Sequence, residues 1–429
     1  MLNRTMMKKI IILTNSFPPI NSPATNRYTS FAKYLTEFGY EVTVVTPLWT
    51  QSSRDYLEKK SGFTTNSNVN RTSEKVDYPV YRVPFSGREE LGESYFEKQI
   101  ARISLRSGNY LLGNLENEML KKVISICEAQ DFDIIISGGL PSYLTDISKK
   151  IAKRYSIKWV CDYRDIIGQV PIQSKGYLDY YRQKFGRFLH ITRDSFQTKT
   201  AVVKTCASQR ISEVIFSNRI NAAPVHVILN GFDPEDYNFD CNKEGKEKFT
   251  IIHGGTIYPF QRPEIFLKGL DLLINKHPYI KEKIIVKFFG QSSSYIAPFL
   301  KDMSSSSVIQ QAGYVERKDL LKEIKNSDLI LFLSAEDKGV TTSKIYECLA
   351  SEVTIMSVPG DKDITSKMIK DANSGLDAET PEQVMKSLER LYLTWESGGK
   401  LAPSVDINYV NQFSRKEQAR ELAKVLEKL

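Results

Sequence analysis

Apolar positions in the first half of the chain alternate between two rhythms. Short, nearly unbroken apolar runs at 9–14, 41–46, 80–83, 133–137, 158–162, 200–203 and 225–229 read as buried strands. Between them, apolar residues recur at helical spacing. Tyr28, Phe31, Ala32, Leu35 and Phe38 mark a helix over 27–38 that Gly39 stops, and further helices are predicted at 112–130 and 143–155. Residues 50–75, rich in Ser, Thr and Asn, read as a loop.

The polar, acidic stretch 230–247, with Gly231, Pro234 and Gly245, interrupts this order as a linker would. The rhythm then restarts, with strands at 249–253, 284–289, 308–311, 329–333 and 353–356, and helices at 263–275, 317–326, from Ser343, 363–372 and 381–396. A last helix over 414–429 carries Ala419, Leu422, Ala423, Val425, Leu426 and Leu429 on one stripe. Strand–helix alternation of this kind predicts parallel sheet with helices on both faces. The expected architecture is α/β: two Rossmann-like, doubly wound domains facing across a cleft. Their bounds are 1–235 and 236–410, with residues 411–429 returning as a helix to the N-terminal domain. Such sheets bind ligands at the carboxyl ends of their strands, which makes the cleft the expected site.

Composition and charge narrow the chemistry. A chain of 429 residues with 41% apolar and 26% charged residues suits a globular protein of two domains. Its five cysteines are scattered, with no CxxC, and its four histidines are far apart, so neither a disulfide framework nor a zinc site is expected. The apolar run after Lys8-Lys9 is too short for a secretory signal, and none approaches a membrane span of about 20 residues. A cytoplasmic protein is expected. Residues 1–242 carry 32 Lys and Arg against 25 Asp and Glu, whereas the remainder carries 27 against 26. An N-terminal excess of that kind suits an acidic partner: anionic lipid, a lipid-linked phosphate, or nucleic acid. No nucleic-acid motif accompanies it, so nucleic acid is not expected.

The densest chemistry lies at 339–350, Gly-Val-Thr-Thr-Ser-Lys-Ile-Tyr-Glu-Cys-Leu-Ala, directly after a buried strand. A small polar loop leading into a helix N-terminus presents N–H groups and positive potential to an anion such as a diphosphate. Lys344 and Glu347 project from the first turn, where a cation meets phosphate and a carboxylate accepts from sugar hydroxyls. The plainer alternative is an i,i+3 ion pair in solvent. The first strand is followed by Asn15-Ser-Phe-Pro-Pro rather than GxGxxG, and no Walker A sequence occurs, so a dinucleotide dehydrogenase or P-loop enzyme is not expected.

In order and spacing, several segments together resemble the GT-B-fold glycosyltransferases of the family-4 type. They are 11–19 with Arg27, 32–35, 39–44, Asp162-Tyr-Arg-Asp, Asn230-Gly-Phe-Asp-Pro-Glu-Asp, Gly254-Gly-Thr-Ile-Tyr, Gly313-Tyr-Val and Thr342-Ser-Lys-Ile-Tyr-Glu. The resemblance implies a retaining, nucleotide-sugar-dependent transferase with its donor in the C-terminal domain. It gives Arg262 and Lys344 the catalytic task of neutralising the leaving diphosphate. Gly255 would let the backbone approach that diphosphate, and Thr342 and Ser343 would offer it N–H groups. Tyr314 and Val315 would lie beside the base, and Glu347 would hold the ribose. On the acceptor side it points to Asn21, Arg27, Tyr143, Arg164 and Asp165. Arg27 has the alternative of a solvated first-turn residue, and Asp162, Arg164 and Asp165 that of a buried ion-pair knot. No cofactor or metal is implied beyond the nucleoside-diphosphate sugar.

Two positions depart from the family pattern. Gly339 stands where many relatives have Glu, and Gly138-Gly-Leu-Pro-Ser-Tyr143 lacks the His common beside the reacting sugar; Ser142 or Tyr143 could fill that space. Same-face retaining transfer rests on phosphate stabilisation and positioning, so the loss need not abolish it.

One further segment stands out. Tyr177, Tyr180, Tyr181, Phe185 and Phe188 lie among Arg182, Lys184, Arg187, Arg193 and Lys199 over 177–199. Such a helix either lies in a bilayer interface or packs on the sheet with its charges in water. The expected function is transfer of a sugar to a growing, lipid-linked surface glycan (a capsule, exopolysaccharide or O-antigen unit), at the inner face of the plasma membrane. The alternatives are a catalytically weak protein that binds a sugar nucleotide or a partner transferase without turnover, and, less favoured because His is scarce, a sugar-nucleotide epimerase.

Overall fold

The apolar runs of the first half form a parallel sheet of seven strands among the described residues. These are β1 (Lys9–Leu13), β2 (Glu41–Pro47), β3 (Val80–Val83), β4 (Ile134–Gly138), β5 (Lys158–Tyr163), β6 (Val203–Cys206) and β7 (Val225–Val227). Their spatial order is β3-β2-β1-β4-β5-β6-β7. Helices α1 (Pro23–Glu37), α2 (Leu115–Ala129), α3 (Ser142–Tyr155), α4 (Tyr177–Gln197) and α5 (Gln209–Ser217) connect them. The structure is a computed structural model. It describes residues 7–20, 22–49, 76–84, 115–166, 172, 176–217, 223–239, 247–257, 261–290, 293–301, 303–334, 342–399, 401 and 404–429.

The second sheet has six parallel strands in the order β10-β9-β8-β11-β12-β13. They are β8 (Phe249–Gly254), β9 (Ile284–Phe289), β10 (Ile309–Gly313), β11 (Leu329–Leu333), β12 (Thr354–Val358) and β13 (Gly375–Asp377). Its helices are α6 (Pro263–Lys276), α7 (Ser293–Leu300), α8 (Arg317–Lys325), α9 (Lys344–Ala350), α10 (Ile364–Asp371), α11 (Pro381–Glu396) and α12 (Ile407–Asn411), and α13 (Arg415–Glu427) ends the chain. The central strands of both sheets are continuous apolar runs because helices cover both faces. Ile10 to Leu13 are fully buried, and β11 is nearly so.

The chain separates into two compact units, Met1–Asn230 with Arg415–Leu429, and Gly231–Ser414. The segment that reads as a linker therefore opens the second unit, where the Phe232 N–H donates to the Phe413 carbonyl at 3.3 Å. Helix α13 belongs to the first unit. Ala419, Leu422, Ala423, Val425 and Leu426 share a buried cluster with Tyr28, Phe31 and Leu35 of α1, and the Lys8 ammonium donates to the Leu426 carbonyl at 2.9 Å. Ser22 starts α1 by accepting from the Thr25 N–H at 3.1 Å, with Pro23 in its first turn.

One strand is shifted from its expected place. In place of the apolar run 200–203, β6 begins at Val203 and includes Lys204 and Thr205. Both are buried polar residues with partners in the sheet. Lys204 lies over the Tyr163 ring at 5.6 Å, and Thr205 donates to Asp162 at 2.6 Å.

Arg27 is neither a solvated first-turn residue nor open to an acceptor. It is 4% exposed, and its Nε and Nη2 donate to Asp162 at 2.9 and 2.7 Å. Its Nη1 donates to the Ile228 carbonyl at 2.7 Å, and Phe31 stacks beneath the guanidinium at 4.7 Å. Asp162 is fully buried, so α1, β5, β6 and the segment after β7 are joined through one ion pair. A buried charge left without its partner is destabilising. Arg27→Met is therefore expected to lower unfolding free energy by about 3–5 kcal/mol in urea titration. Adding Asp162→Leu should recover part of that loss, and losses that simply add would contradict the pairing.

Candidate functional site

The strand order of the second sheet reverses between β8 and β11, and ligands of doubly wound sheets bind at the carboxyl ends of strands flanking such a point. Gly255 follows β8 with φ +107, and Lys344 opens the helix that comes after β11. A Cβ at residue 255 would overlap the Lys344 ammonium. From the other side, a Cβ on Gly290 at the end of β9 would lie 2.8 Å from the Gly255 carbonyl carbon. Two glycines thus open a slot into which the lysine folds, and its Nζ donates to the Thr256 carbonyl at 3.0 Å. Burial lowers the Lys344 pKa to about 8, against the raising effects of Cys348 and Glu347. Helix α9 has only seven residues, so its dipole is short; the positive charge here is carried by Lys344 more than by the helix end.

His253, near the end of β8, stands out only in the structure. Its Nδ1 lies 3.0 Å from the Leu331 carbonyl, which fixes that nitrogen as the donor in a neutral ring. Burial, and then the neighbouring Lys344, push its pKa down to about 3, so the ring stays neutral at physiological pH. Its Nε2 is buried without a hydrogen-bond partner among the described residues, as is the Thr342 hydroxyl. His253, Gln261, Lys344, Glu347 and Cys348 line a narrow cavity of about 30 Å³, enough for a water-sized group. Gln261, equally inconspicuous in the sequence, is buried and donates to the Leu333 carbonyl.

Glu347 is bound by a residue that the sequence reading leaves out. Its Oε1 accepts from Nε and Nη2 of Arg317 at 3.2 and 2.7 Å, while Arg317 Nη1 donates to Asp236 at 2.6 Å. Burial works against the Arg317 charge, but Glu347 and Asp236 outweigh it and raise its pKa. Tyr237 adds a hydrogen bond to the Glu347 carbonyl at 2.9 Å. A signal exists in the sequence: Arg317 sits in the first turn of α8, where the helix dipole disfavours a cation unless carboxylates answer it.

The other expected donor residues are spread out. Ser343 stands at the N-cap of α9 without a side-chain capping bond. Tyr314 is half-exposed and Val315 half-buried beyond β10, the edge strand, on the segment that leads to Arg317. Arg262 pairs with Glu264 on the first turn of α6 and lines a different, open cavity of about 610 Å³ with Lys268, Asp361 and Lys362. Gln261, its neighbour in the chain, lines the cavity that holds Lys344. Gly339 lies outside the described residues.

In the first unit the order reverses between β1 and β4. Tyr143 is buried there and donates to Asn15 Oδ1 at 2.6 Å, tying α3 to the loop after β1. Burial raises its phenol pKa well above the ordinary value, so it remains a neutral donor. Next to it the chain packs tightly, since a Cβ on Gly139 would lie 2.6 Å from the Tyr163 ring. Asp162 joins the buried knot with Arg27, whereas Arg164 and Asp165 pair with each other at the surface. Asn21 lies outside the described residues. No group of three or more His, Cys, Asp and Glu among the described residues is arranged to hold a metal ion.

This two-unit α/β fold is that of the GT-B glycosyltransferases. Anabaena HepE in complex with UDP superposes with a TM-score of 0.62 at 12% identity, covering 98% of this chain and 100% of that one. A Rickettsia africae glycosyltransferase gives 0.61 at 12% over 99% and 98%. The OtsA apo structure gives 0.60 at 13% over 98% and 100%. No protein-family model matches the chain, and no match among curated proteins is found.

A lysine retained for fold stability and one retained for a ligand behave differently on removal. Lys344→Met discards a desolvated cation at a helix N-terminus. It is expected to leave the melting temperature unchanged or to raise stability by up to about 1 kcal/mol in thermal unfolding. A fall of several degrees would make the lysine structural.

Proposed function

We propose that the protein is a retaining glycosyltransferase, resembling the family-4 group, that moves a sugar from a nucleoside-diphosphate donor to a growing, lipid-linked surface glycan. The observation that carries this reading is the Lys344 ammonium, seated against Gly255 at the switch point beside the unpartnered Nε2 of His253. Lys344 lines that cavity, which admits a water-sized group but is too small for a diphosphate. HepE, of the same fold, has been seen with UDP and with UDP-glucose, which supports a donor of this class here.

In this mechanism Lys344 neutralises charge that builds on the leaving diphosphate. Glu347, oriented by Arg317, accepts hydrogen bonds from the ribose hydroxyls. The leaving phosphate takes the acceptor proton on the same face, so no separate base is required. The neutral His253 ring accepts a hydrogen bond from a bound water or hydroxyl. With the lysine as the local positive charge, the reading needs no metal. A second reading, donor binding without turnover, is favoured by Gly339 and by the ring of Tyr163 packed at Gly139.

Incubation with UDP-, GDP-, ADP- and TDP-sugars should raise the melting temperature with one base, and glycan acceptors should then yield product. Binding with no transfer or hydrolysis across the panel would favour the second reading. Binding of none of the four would contradict both. Glu347→Ala is expected to weaken donor binding by about 2–3 kcal/mol in calorimetry, and unchanged affinity would remove its assigned role.

Affinity should also depend on pH in a defined direction. Lys344 is protonated below its folded pKa of about 8, so binding should hold near pH 7 and weaken as pH rises through about 8 to 9. The diphosphate is already ionised there, and Lys344→Met should flatten the profile. A wild-type profile that stays flat over this range would show that the ammonium does not face the ligand.

A further inference from the structure

We propose that helix α4 seats the first unit on an anionic lipid bilayer, lying in the interface with its aromatic face in the acyl boundary. The helix is mounted the wrong way round for a globular protein. Of its 21 residues Ser195 alone is buried, while Leu178 is 87%, Phe185 63%, Phe188 63%, Leu189 52% and Phe196 55% exposed. At about 100° per residue these positions fall on one face, and Tyr177 and Tyr181 extend it. Asp179, Gln183, His190 and Asp194 on the other side are half-buried. An ordinary surface helix does the reverse.

The rotation is locked at the C-terminal end. Tyr163 of β5 donates to Asp194 at 2.7 Å, and its hydroxyl lies 3.1 Å from that of the buried Thr198. Gln197 donates to Asp146 of α3 at 3.2 Å. Turning the rings inward would break these contacts.

Charge identifies the occupant. Arg182 and Arg193 border the aromatic face on one side and Lys184 on the other, with Lys184 5.8 Å from the Tyr180 ring centre. The helix has two carboxylates. Asp194 points inward to Tyr163, and Asp179 is engaged by Arg182 and Gln183 at 2.8 Å each. Aromatic rings with cations on both borders match a layer where acyl chains meet anionic phosphates. A protein partner would need carboxylates arranged around an apolar groove, and a second copy of this chain would set the same cations against each other. The cationic excess of residues 1–242 acts in the same sense. No helix among the described residues is long and apolar enough to cross a membrane, so the contact is peripheral.

The proposal stands apart from the transferase reading, because lipid binding is measured without donor or acceptor. The full chain is to be sedimented with vesicles of phosphatidylglycerol and phosphatidylcholine, and with phosphatidylcholine alone. Binding is expected with the anionic vesicles and should fall about tenfold or more when Lys184→Gln and Arg193→Gln are combined. It should be lost in the Phe185→Ser/Phe188→Ser variant, whose melting temperature should stay that of wild type because both rings are exposed. A Phe185→Trp reporter should shift its emission to the blue on binding. Equal binding to both vesicle types, or none, would overturn the proposal. So would anionic binding that survives loss of both rings. A wild-type dimer that the serine variant converts to monomer, with no vesicle binding, would give the face to a second copy.

Discussion

The ammonium of Lys344 occupies the space that a side chain at residue 255 would need. Gly255 holds a positive φ, Gly290 presses on it from β9, and the lysine chain lies across the space that a Cβ would take. That packing brings a desolvated cation to the carboxyl ends of the two strands where the second sheet reverses its order. The cost is visible in the lowered pKa, because a buried ammonium surrenders its proton more readily. His253 is kept neutral first by its own burial and then by Lys344 beside it. Burial thus acts on both groups, and the lysine adds to it at the histidine.

Around this point the protein separates positioning from chemistry. Arg317 bridges Glu347 and Asp236 and so fixes the carboxylate that would meet a ribose. In the first unit the corresponding switch point is held by Tyr143 on Asn15, and the unit is braced by Arg27 on Asp162. Charged residues with the look of ligands are there used as struts. Tyr163 packs against Gly139 and spends its hydroxyl on Asp194, at the base of the outward-facing helix α4.

Continuous apolar runs such as 9–14 and 329–333 are legible because parallel strands buried on both faces leave no other pattern. Strand β6 falls elsewhere than its apolar run because Lys204 and Thr205 are buried through partners on β5, which no local pattern discloses. Lys344 and Glu347 can be singled out from loop and helix chemistry, but not the partners they hold. Those partners, Thr256 for Lys344 and Arg317 for Glu347, come from elsewhere in the second unit. Arg27 shows the opposite failure. A cation on a first helical turn reads the same whether it meets a ligand or a buried carboxylate far along the chain, and here it meets Asp162. The aromatic-basic run at 177–199 is visible in sequence, whereas the face it presents depends on Tyr163 and Asp146, which are distant in the chain.

The central claim is that the C-terminal unit grips a nucleoside diphosphate through Lys344. A crystal structure of the full chain with UDP, or with whichever nucleotide stabilises it most, tests this directly. The account predicts a phosphate oxygen within hydrogen-bonding distance of Lys344 Nζ and ribose hydroxyls on Glu347. Diphosphate density in the open cavity lined by Arg262, Lys268 and Lys362, with Lys344 still turned to the Thr256 carbonyl, would contradict it.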